Sequence, residues 1–267
     1  MSTQAIPVPG GTSPSTTSSI NKFIQITLFW IAIALIWEFG VKALGIRAFV
    51  LPPLSKVLSA GWQNLDLIFD NTLVTGTEVL IGFLVATVAG ILLGLIIYFS
   101  EFARRTLYPL VTALQSMPKI ALAPLMIVWF GYGMSSKVAA TLLFALFPIV
   151  IATLGGLSSV SANLEEHFRA LGASRWETFW RLRVPAALPS FVDGVKIAMP
   201  LAVIGAIVGE FIGAEEGLGH LITMATSSAR TDLMFAAILA ITLLAMLLHW
   251  IVERAGMLVW WRGMGGQ

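Results

Sequence analysis

Long apolar stretches separated by short polar connections run along most of this chain. A helix needs about 20 mostly apolar residues to span roughly 30 Å of hydrocarbon, and six stretches come close to that length. They are Phe23–Leu44, Thr72–Phe99, Tyr108–Phe130, Val138–Leu157, Leu188–Ile212 and Leu233–Val252. The pattern therefore predicts an all-α membrane protein with six transmembrane helices.

The polar regions divide the chain into three parts. Residues 1–21 are rich in Ser, Thr, Pro and Gly, a composition that cannot bury a core, so we expect a disordered cytoplasmic tail. This tail lacks the basic segment of a signal peptide, so the first apolar stretch should stay as a membrane anchor. The transmembrane domain should cover residues 22–254, and residues 255–267 should form a second cytoplasmic tail.

Two finer patterns refine this outline. The segment Leu51–Phe69 opens with two prolines and predicts a short amphipathic helix on the membrane surface. Two of the predicted spans also carry small residues at every fourth position, which lets helix backbones approach closely in lipid. We expect helix–helix contacts on these faces, with pore lining as the alternative. They consist of Gly82, Ala86, Gly90 and Gly94 in the second span and Gly205, Gly209 and Gly213 in the fifth.

Composition agrees with a chain embedded in lipid and excludes several other classes of protein. Hydrophobic residues make up 57% of the chain and charged residues 11%, against about 25% charged in soluble domains. The net charge of +2 gives no reason to expect a nucleic acid partner. Without cysteine there can be no disulfide or thiolate site, and the histidines lack metal-ligand spacing, so no metal site is expected.

Basic residues predict the orientation, because Lys and Arg accumulate in cytoplasmic loops. With a cytoplasmic N-terminus, nine basic residues fall on the inner side and five on the outer side. The inner set is Lys22, Arg104, Arg105, Arg169, Arg175, Arg181, Arg183, Arg254 and Arg262, and the outer set is Lys42, Arg47, Lys56, Lys137 and Arg230. We therefore expect a multi-pass protein of the cell (inner) membrane with both termini in the cytoplasm.

The longest polar stretch, residues 158–187, predicts two helices joined by a tight turn. Acidic residues early in the first helix suit its dipole, and Gly172 is placed to end it. Ser174 can cap a second, amphipathic helix over residues 175–184. Composition alone also fits an interfacial helix pair with Trp anchors and Arg residues that meet anionic lipid headgroups.

The spacing in this loop resembles the EAA loop of binding-protein-dependent ABC importer permeases. That pattern has Glu-Ala-Ala, a few residues, Gly, nine residues and then Ile-x-Leu-Pro. Here Glu166, Gly172 and Pro185 fit the pattern, while His167 and Phe168 replace the two alanines.

Further motifs over roughly residues 51–253 are similar to the nitrate, sulfonate and taurine branch of these permeases. They are Leu-Gly-Ala-Ser-Arg-Trp at 171–176, Pro-Ala-Ala-Leu-Pro at 185–189, Pro-Leu-Met-Ile-Val-Trp-Phe-Gly at 124–131, Glu-Gly-Leu-Gly at 216–219 and Arg-Thr-Asp at 230–232. The chain departs from that branch at Glu78, where many members have Arg, and at Lys119, where sulfonate and taurine members usually have Pro.

The resemblance implies the type I ABC importer permease fold, with a cytoplasmic coupling helix in the loop. Two permease copies, expected to be a homodimer, would form the pathway, and a periplasmic or lipid-anchored binding protein would deliver the solute. Two separate ATPase subunits would use ATP and Mg²⁺. The chain has no Gly-x4-Gly-Lys-Ser/Thr phosphate loop, so we expect it to be no enzyme and to bind no cofactor itself.

The same resemblance supplies the residues that should couple transport to the ATPase. They are Glu166, Ala170, Leu171, Gly172, Ala173, Ser174 and Pro185. Ionisable groups within spans are costly and are therefore functional candidates as well. We expect the translocation pathway or its gate to include Met117, Pro118, Lys119 and Glu210. For Glu210, a structural hydrogen bond to a neighbouring helix is an equal alternative.

The expected solute is a small polar nutrient, first of all an anion of the nitrate, sulfonate or taurine type. The spans hold no cluster of Arg side chains that could bind an anion tightly, and Lys119 acts only as a point charge. The alternative is a heterocyclic vitamin precursor of the thiamine pyrimidine or riboflavin type, whose permeases the segment 117–124 also resembles. A different class, the ion-coupled secondary transporter, fits less well because no inverted repeat is visible.

Overall fold

The computed structural model describes residues 16–260, and within them the chain is almost entirely helical. The α-helices are α1 (Thr16–Ala43), α2 (Leu54–Gln63), α3 (Leu65–Phe99), α4 (Glu101–Gln115), α5 (Ala123–Phe130), α6 (Met134–Leu157), α7 (Ala162–Ala170), α8 (Arg175–Thr178), α9 (Val184–Gly213), α10 (Leu218–Ser227) and α11 (Thr231–Trp260). A 3₁₀ turn covers Lys119–Leu122, and a π-helical segment covers Phe179–Arg183. Of the two predicted tails, residues 1–15 and 261–267 lie outside the described residues.

Within this described range, five helices are long and apolar enough to cross a membrane, and one bent pair makes a sixth span. The five are Ile24–Ala43, Leu65–Phe99, Met134–Leu157, Arg175–Gly213 and Thr231–Met257. The prediction of an all-α protein with six transmembrane segments is therefore confirmed in its outline.

The third span differs from the prediction, because it is not one helix from Tyr108 to Phe130. It consists of two helical arms, Glu101–Gln115 and Lys119–Phe130, which meet at 97°. Pro118 lies between them; proline has no backbone N–H and disfavours a helical conformation in the residue before it. Both effects favour a break between the two arms at this point.

The fifth span also differs, because the predicted second loop helix does not end before it. Helical residues run without a break from Arg175 to Gly213, through α8, the π-helical segment and α9. Pro185 lies in the first turn of α9, directly after the wide π-helical turn, where a missing N–H is tolerated. The loop is thus joined rigidly to a transmembrane helix, which we call the α8–α9 rod.

Two shorter helices also differ from the prediction. The surface helix expected over Leu51–Phe69 is the shorter α2, and the residues from Leu65 onward already belong to the long transmembrane α3. The short helix α10 was not predicted. Its signal is the apolar spacing of Leu218, Leu221 and Ala225, all of which are buried.

Helix α6 lies at the centre of the molecule, packed against both α3 and α9. The small residues of these two neighbours face it closely. A Cβ added to Gly90 of α3 would lie 2.8 Å from Cγ2 of Ile149, and one on Gly205 of α9 would lie 2.7 Å from Cα of Thr141. The predicted small-residue faces are therefore confirmed as helix–helix contacts.

Candidate functional site

The loop between α6 and α9 contains a glycine turn that ends α7. Gly172 has a φ of +81°, in the left-handed region that residues with a Cβ avoid. Its N–H donates to the carbonyl of Arg169 at 2.9 Å, and the N–H of Ala173 donates to that of Phe168 at 3.1 Å. This bond pair is a Schellman motif, so the prediction that Gly172 ends the helix is confirmed.

The next residues start α8 with a capping box. The Oγ atom of Ser174 accepts a hydrogen bond from the N–H of Glu177 at 3.2 Å, and the Glu177 carboxylate accepts one from the N–H of Ser174 at 2.9 Å. The predicted cap at Ser174 is therefore confirmed. By contrast, the side chain of Ser161 makes no capping bond at the start of α7.

The residues predicted to couple to the ATPase form a largely exposed surface around this turn. Exposed members are Glu166, Ala170, Leu171, Gly172, Ser174 and Pro185, and Ala173 is half-buried. Pro185 lies apart from the turn, at the start of α9. Leu171 is 74% exposed although it is apolar. An apolar side chain held out on a rigid turn is well suited to contact another protein.

An ion pair attaches this loop to the α8–α9 rod. Arg183 donates from Nη2 to Oε2 of Glu165 at 2.6 Å and from Nη1 to the carbonyl of Leu157, the last residue of α6, at 3.0 Å. Arg169 donates to the other oxygen of Glu165 at 3.2 Å. These hydrogen bonds, first of all that from Arg183, hold the pKa of the Glu165 carboxyl below its usual value. The carboxylate is therefore ionised at neutral pH. It joins α7 to Arg183 of the rod, and Arg183 in turn contacts the end of α6.

The break in the third span places Lys119 beside aromatic rings of α6. Its Nζ lies 4.9 Å from the ring centroid of Phe147 and 5.7 Å from that of Phe144. A half-buried ammonium in this position gains a cation–π attraction of about 0.5–2 kcal/mol. Met117 and Pro118 are exposed, so these three residues predicted for the pathway lie together at an open break in the helix.

Glu210 is buried, with 1% of its surface exposed. Its Oε1 accepts a hydrogen bond from Oγ1 of Thr75 at 2.6 Å, and its Oε2 accepts one from the N–H of Gly219 at 2.5 Å. The N–H of Leu218 donates to Oγ1 of Thr75 at 2.8 Å. The first turn of a helix has N–H groups without partners within the helix, and Glu210 and Thr75 accept from two of them in α10. This arrangement favours the structural alternative for Glu210.

A second buried contact joins α3 to α6. Nζ of Lys137 donates to Oε1 of Glu78 at 2.5 Å, and the two side chains are 8% and 1% exposed. Lys137 lies in α6, so its assignment to a loop is wrong. Four basic residues instead of five then remain on the side predicted to be outer, Lys42, Arg47, Lys56 and Arg230. Glu78, where the chain departs from the family pattern, is therefore paired with Lys137. In the sequence, only the presence of one acidic and one basic residue in apolar surroundings pointed to this pair.

Metal binding finds no support in the part of the chain that the structure describes. Within residues 16–260, no three His, Asp or Glu side chains lie close enough together to hold a metal ion.

Comparisons with known proteins agree with the fold and with the loop. Residues 86–255 match the family described as binding-protein-dependent transport system inner membrane component. The formylaminopyrimidine transport permease ThiX of Halalkalibacterium halodurans is 40% identical, over 84% of this chain and 90% of its own length. The riboflavin transport permease RibX of Chloroflexus aurantiacus is 35% identical, over 80% of each chain. The putative aliphatic sulfonates transport permease SsuC of Bacillus subtilis is 32% identical, over 76% of this chain and 75% of its own.

A solved structure supports the architecture. A chain of the MetNI methionine ABC transporter in its inward-facing conformations superimposes with a TM-score of 0.57. The match covers 74% of this chain and 96% of the other, at 22% identity. At that identity the likeness concerns the fold alone, and it agrees with the expected type I importer permease fold.

Proposed function

Because this chain belongs to the family of binding-protein-dependent transport system inner membrane components, we propose what it carries and how it is coupled to ATP. The chain is a multi-pass permease subunit of an ABC importer in the inner membrane. It is a transport component, and ATP is hydrolysed by a separate ATPase subunit. An ATPase and a solute-binding protein are therefore its partners, and the ion-coupled secondary transporter is disfavoured.

The proposed solute is a small heterocyclic vitamin precursor of the formylaminopyrimidine kind. The observation that supports it is the 40% identity to the formylaminopyrimidine permease, with riboflavin and sulfonate permeases at 35% and 32%. Lys119 points the same way, because sulfonate and taurine members usually have Pro there. A heterocycle therefore ranks ahead of the anion that the sequence analysis placed first.

The anion remains the second candidate. The positive charge of Lys119 favours it, although the departure from Pro at this position does not. The ammonium group of Lys119 lies at the open break of the third span, and no acidic side chain within residues 16–260 pairs with it. A single point charge would attract an anion without binding it tightly. Such weak binding suits a pathway that must release its solute.

Uptake by intact cells separates the two solutes. Cells that express the permease with its ATPase and binding protein are given labelled formylaminopyrimidine, taurine or nitrate. We expect uptake of the pyrimidine alone, and no uptake in cells with a Gly172→Pro permease that cannot form the loop turn. Uptake of taurine or nitrate without the pyrimidine would show that the proposed solute is wrong.

The coupling loop is proposed to dock on the ATPase subunit through Leu171 and the turn at Gly172. The exposure of Leu171 supports this, as does the ion pair between Glu165 and Arg183. Since the α8–α9 rod is continuous from Arg175 to Gly213, a displacement of the loop would move a whole transmembrane helix. That is a rigid-body coupling between two states of the permease.

A second copy of the permease is proposed to complete the pathway. The arm after the break in the third span exposes large apolar side chains, among them Ile120 at 64%, Val128 at 77% and Trp129 at 64%. Such a face is suited to lipid or to a partner helix. In a homodimer the two breaks, each with its Lys119, would face a shared pathway, and both termini would lie in the cytoplasm.

A further inference from the structure

Two neighbouring cavities lie beside the coupling loop and share the rings of Phe99 and Phe179 in their walls. One has a volume of about 900 Å³ and is lined by polar and charged side chains together with aromatic rings. The other has a volume of about 390 Å³ and is almost wholly apolar, with Thr153 as the one polar residue in its lining. We call them the arginine cavity and the apolar groove.

The arginine cavity carries a surplus of positive charge. Four arginines line it, Arg104, Arg169, Arg175 and Arg183, against one acidic residue, Glu165. Arg169 and Arg183 are both bonded to that carboxylate. Among residues 16–260, the guanidinium groups of Arg104 and Arg175 make no hydrogen bond or ion pair, and both residues are exposed. Two guanidinium groups from different helices are thus free to bind an anion.

The apolar groove opens at the surface and is not a gap in the core. Trp176 and Trp180 line it and are 66% and 52% exposed. Phe179, between them in the chain, is buried against Leu157 and Ala187 and forms its floor. Tryptophan is enriched where a membrane meets water, which places this groove at the level of the lipid headgroups and upper acyl chains.

We propose that the two cavities together hold one anionic phospholipid of the inner leaflet. Its phosphate would lie between Arg104 and Arg175, because guanidinium groups bind phosphate through paired hydrogen bonds. One acyl chain would pass Phe179 into the apolar groove. A soluble phosphate compound would fill the arginine cavity and leave the adjoining groove empty, so the joined pair fits a lipid better.

The bound lipid would brace the coupling loop. Its headgroup would connect Arg104, at the start of α4, with Arg175, at the start of the α8–α9 rod. Basic pockets on the cytoplasmic side of membrane helices bind anionic headgroups by the same chemistry. This inference uses the proposed cytoplasmic position of the loop but not the identity of the solute.

Native mass spectrometry of the permease–ATPase complex can detect the lipid directly. The complex is reconstituted in nanodiscs of phosphatidylcholine with or without phosphatidylglycerol and then released from them. The phosphatidylglycerol that stays bound to the protein is measured, with no transport assay. The test variant is the double substitution Arg104→Gln with Arg175→Gln. The control is Arg105→Gln with Arg181→Gln, which removes the same charge from exposed neighbours that do not line the cavity.

Wild type and the control should retain phosphatidylglycerol, and the test variant should bind it roughly 30-fold more weakly. That figure takes each of the two guanidinium–phosphate contacts as worth about fivefold, the size found for one basic residue at an anionic surface. Equal unfolding temperatures of the two double variants would establish that the test variant is folded; if it is not, the single variants replace it. Equal retention by both variants would overturn the proposal.

Two further outcomes would also overturn the lipid proposal, because each assigns the cavities to a different partner. If glycerol phosphate, which has no acyl chains, displaces the lipid as well as whole phosphatidylglycerol does, the site binds free phosphate. If phosphatidylglycerol is retained by the permease alone but not by the complex, the arginine cavity is part of the ATPase interface. Solute uptake is not measured, so a wrong assignment of the solute would leave these results unchanged.

Discussion

Single residues in this protein show which signals a sequence carries and which it does not. The helix end at Gly172 and the helix cap at Ser174 were predicted correctly, because a turn or a cap depends on residues only three or four positions away. The pairs Glu78–Lys137 and Glu165–Arg183 were not predicted, since their members lie 59 and 18 residues apart. Only the packing of whole helices brings them together.

The buried pair leads to a prediction about stability. Glu78→Gln should lower the free energy of unfolding by about 3–5 kcal/mol, because it leaves the charge of Lys137 buried without a partner. Adding Lys137→Met should restore most of the loss, since methionine has a similar volume and no charge. Denaturant unfolding of the purified protein measures both changes. The control Glu101→Gln removes an exposed pair with Arg105; an equal loss for Glu78→Gln and the control would contradict the prediction.

The exposed leucine of the loop leads to a prediction about binding. Leu171→Asp should abolish co-purification of the ATPase subunit, because a charge would replace the apolar contact at the centre of the docking surface. The permease itself should stay folded, since this side chain is 74% exposed. Leu58→Asp, at a leucine of α2 that is 59% exposed, is the control. Normal co-purification of the ATPase with Leu171→Asp would show that the loop is not part of the interface.

At the scale of the helices, the apolar transmembrane stretches were predicted well, but the points where helices break or continue were not. The spans near Ile24, Met134 and Thr231 begin within a few residues of the prediction, because hydropathy alone determines them. The break at Pro118 and the continuous passage through Pro185 show that one residue type has two outcomes. Proline in the first turn of a helix is tolerated, and proline in the interior bends or interrupts a helix. Yet Pro109, Pro148 and Pro200 lie inside α4, α6 and α9 without ending them, so the presence of a proline does not by itself predict a break.

The turn between α7 and α8 gives a prediction at this scale. Gly172→Ala should strain the turn by about 1–2 kcal/mol, because alanine disfavours a positive φ. We expect slower ATP hydrolysis on addition of loaded binding protein, with little change in global unfolding. Gly155→Ala is the matched control, since a Cβ at Gly155 in α6 would meet no atom within 4 Å. Equal ATPase activity in the two variants would show that the shape of the turn does not matter.

For the whole molecule, the sequence predicted the number of spans and the fold, and the structure supplied their arrangement. The central position of α6 follows from two small-residue faces that both turned toward it. The sequence predicted those faces, but it did not predict that both of them pack against the same helix, α6. Orientation across the membrane rests on the basic residues, and it remains a prediction.

Cysteine labelling tests this orientation, and the chain has no cysteine of its own. A cysteine in place of Tyr132, which is 79% exposed at the connection before α6, should react with an impermeant reagent in intact cells. A cysteine in place of Leu171 should react only after the membrane is opened. The reverse pattern would place the coupling loop outside the cell and exclude its docking on a cytoplasmic ATPase.

Transport in proteoliposomes tests the central claim most directly, that this permease imports its solute by a loop-coupled, ATP-driven movement. The permease and its ATPase are reconstituted with ATP inside and the loaded binding protein outside, and accumulation of labelled formylaminopyrimidine is followed. Accumulation should require ATP, should persist when ionophores collapse every ion gradient, and should be lost in Leu171→Asp. Accumulation that follows an ion gradient without ATP, or that is unchanged in Leu171→Asp, would contradict the claim.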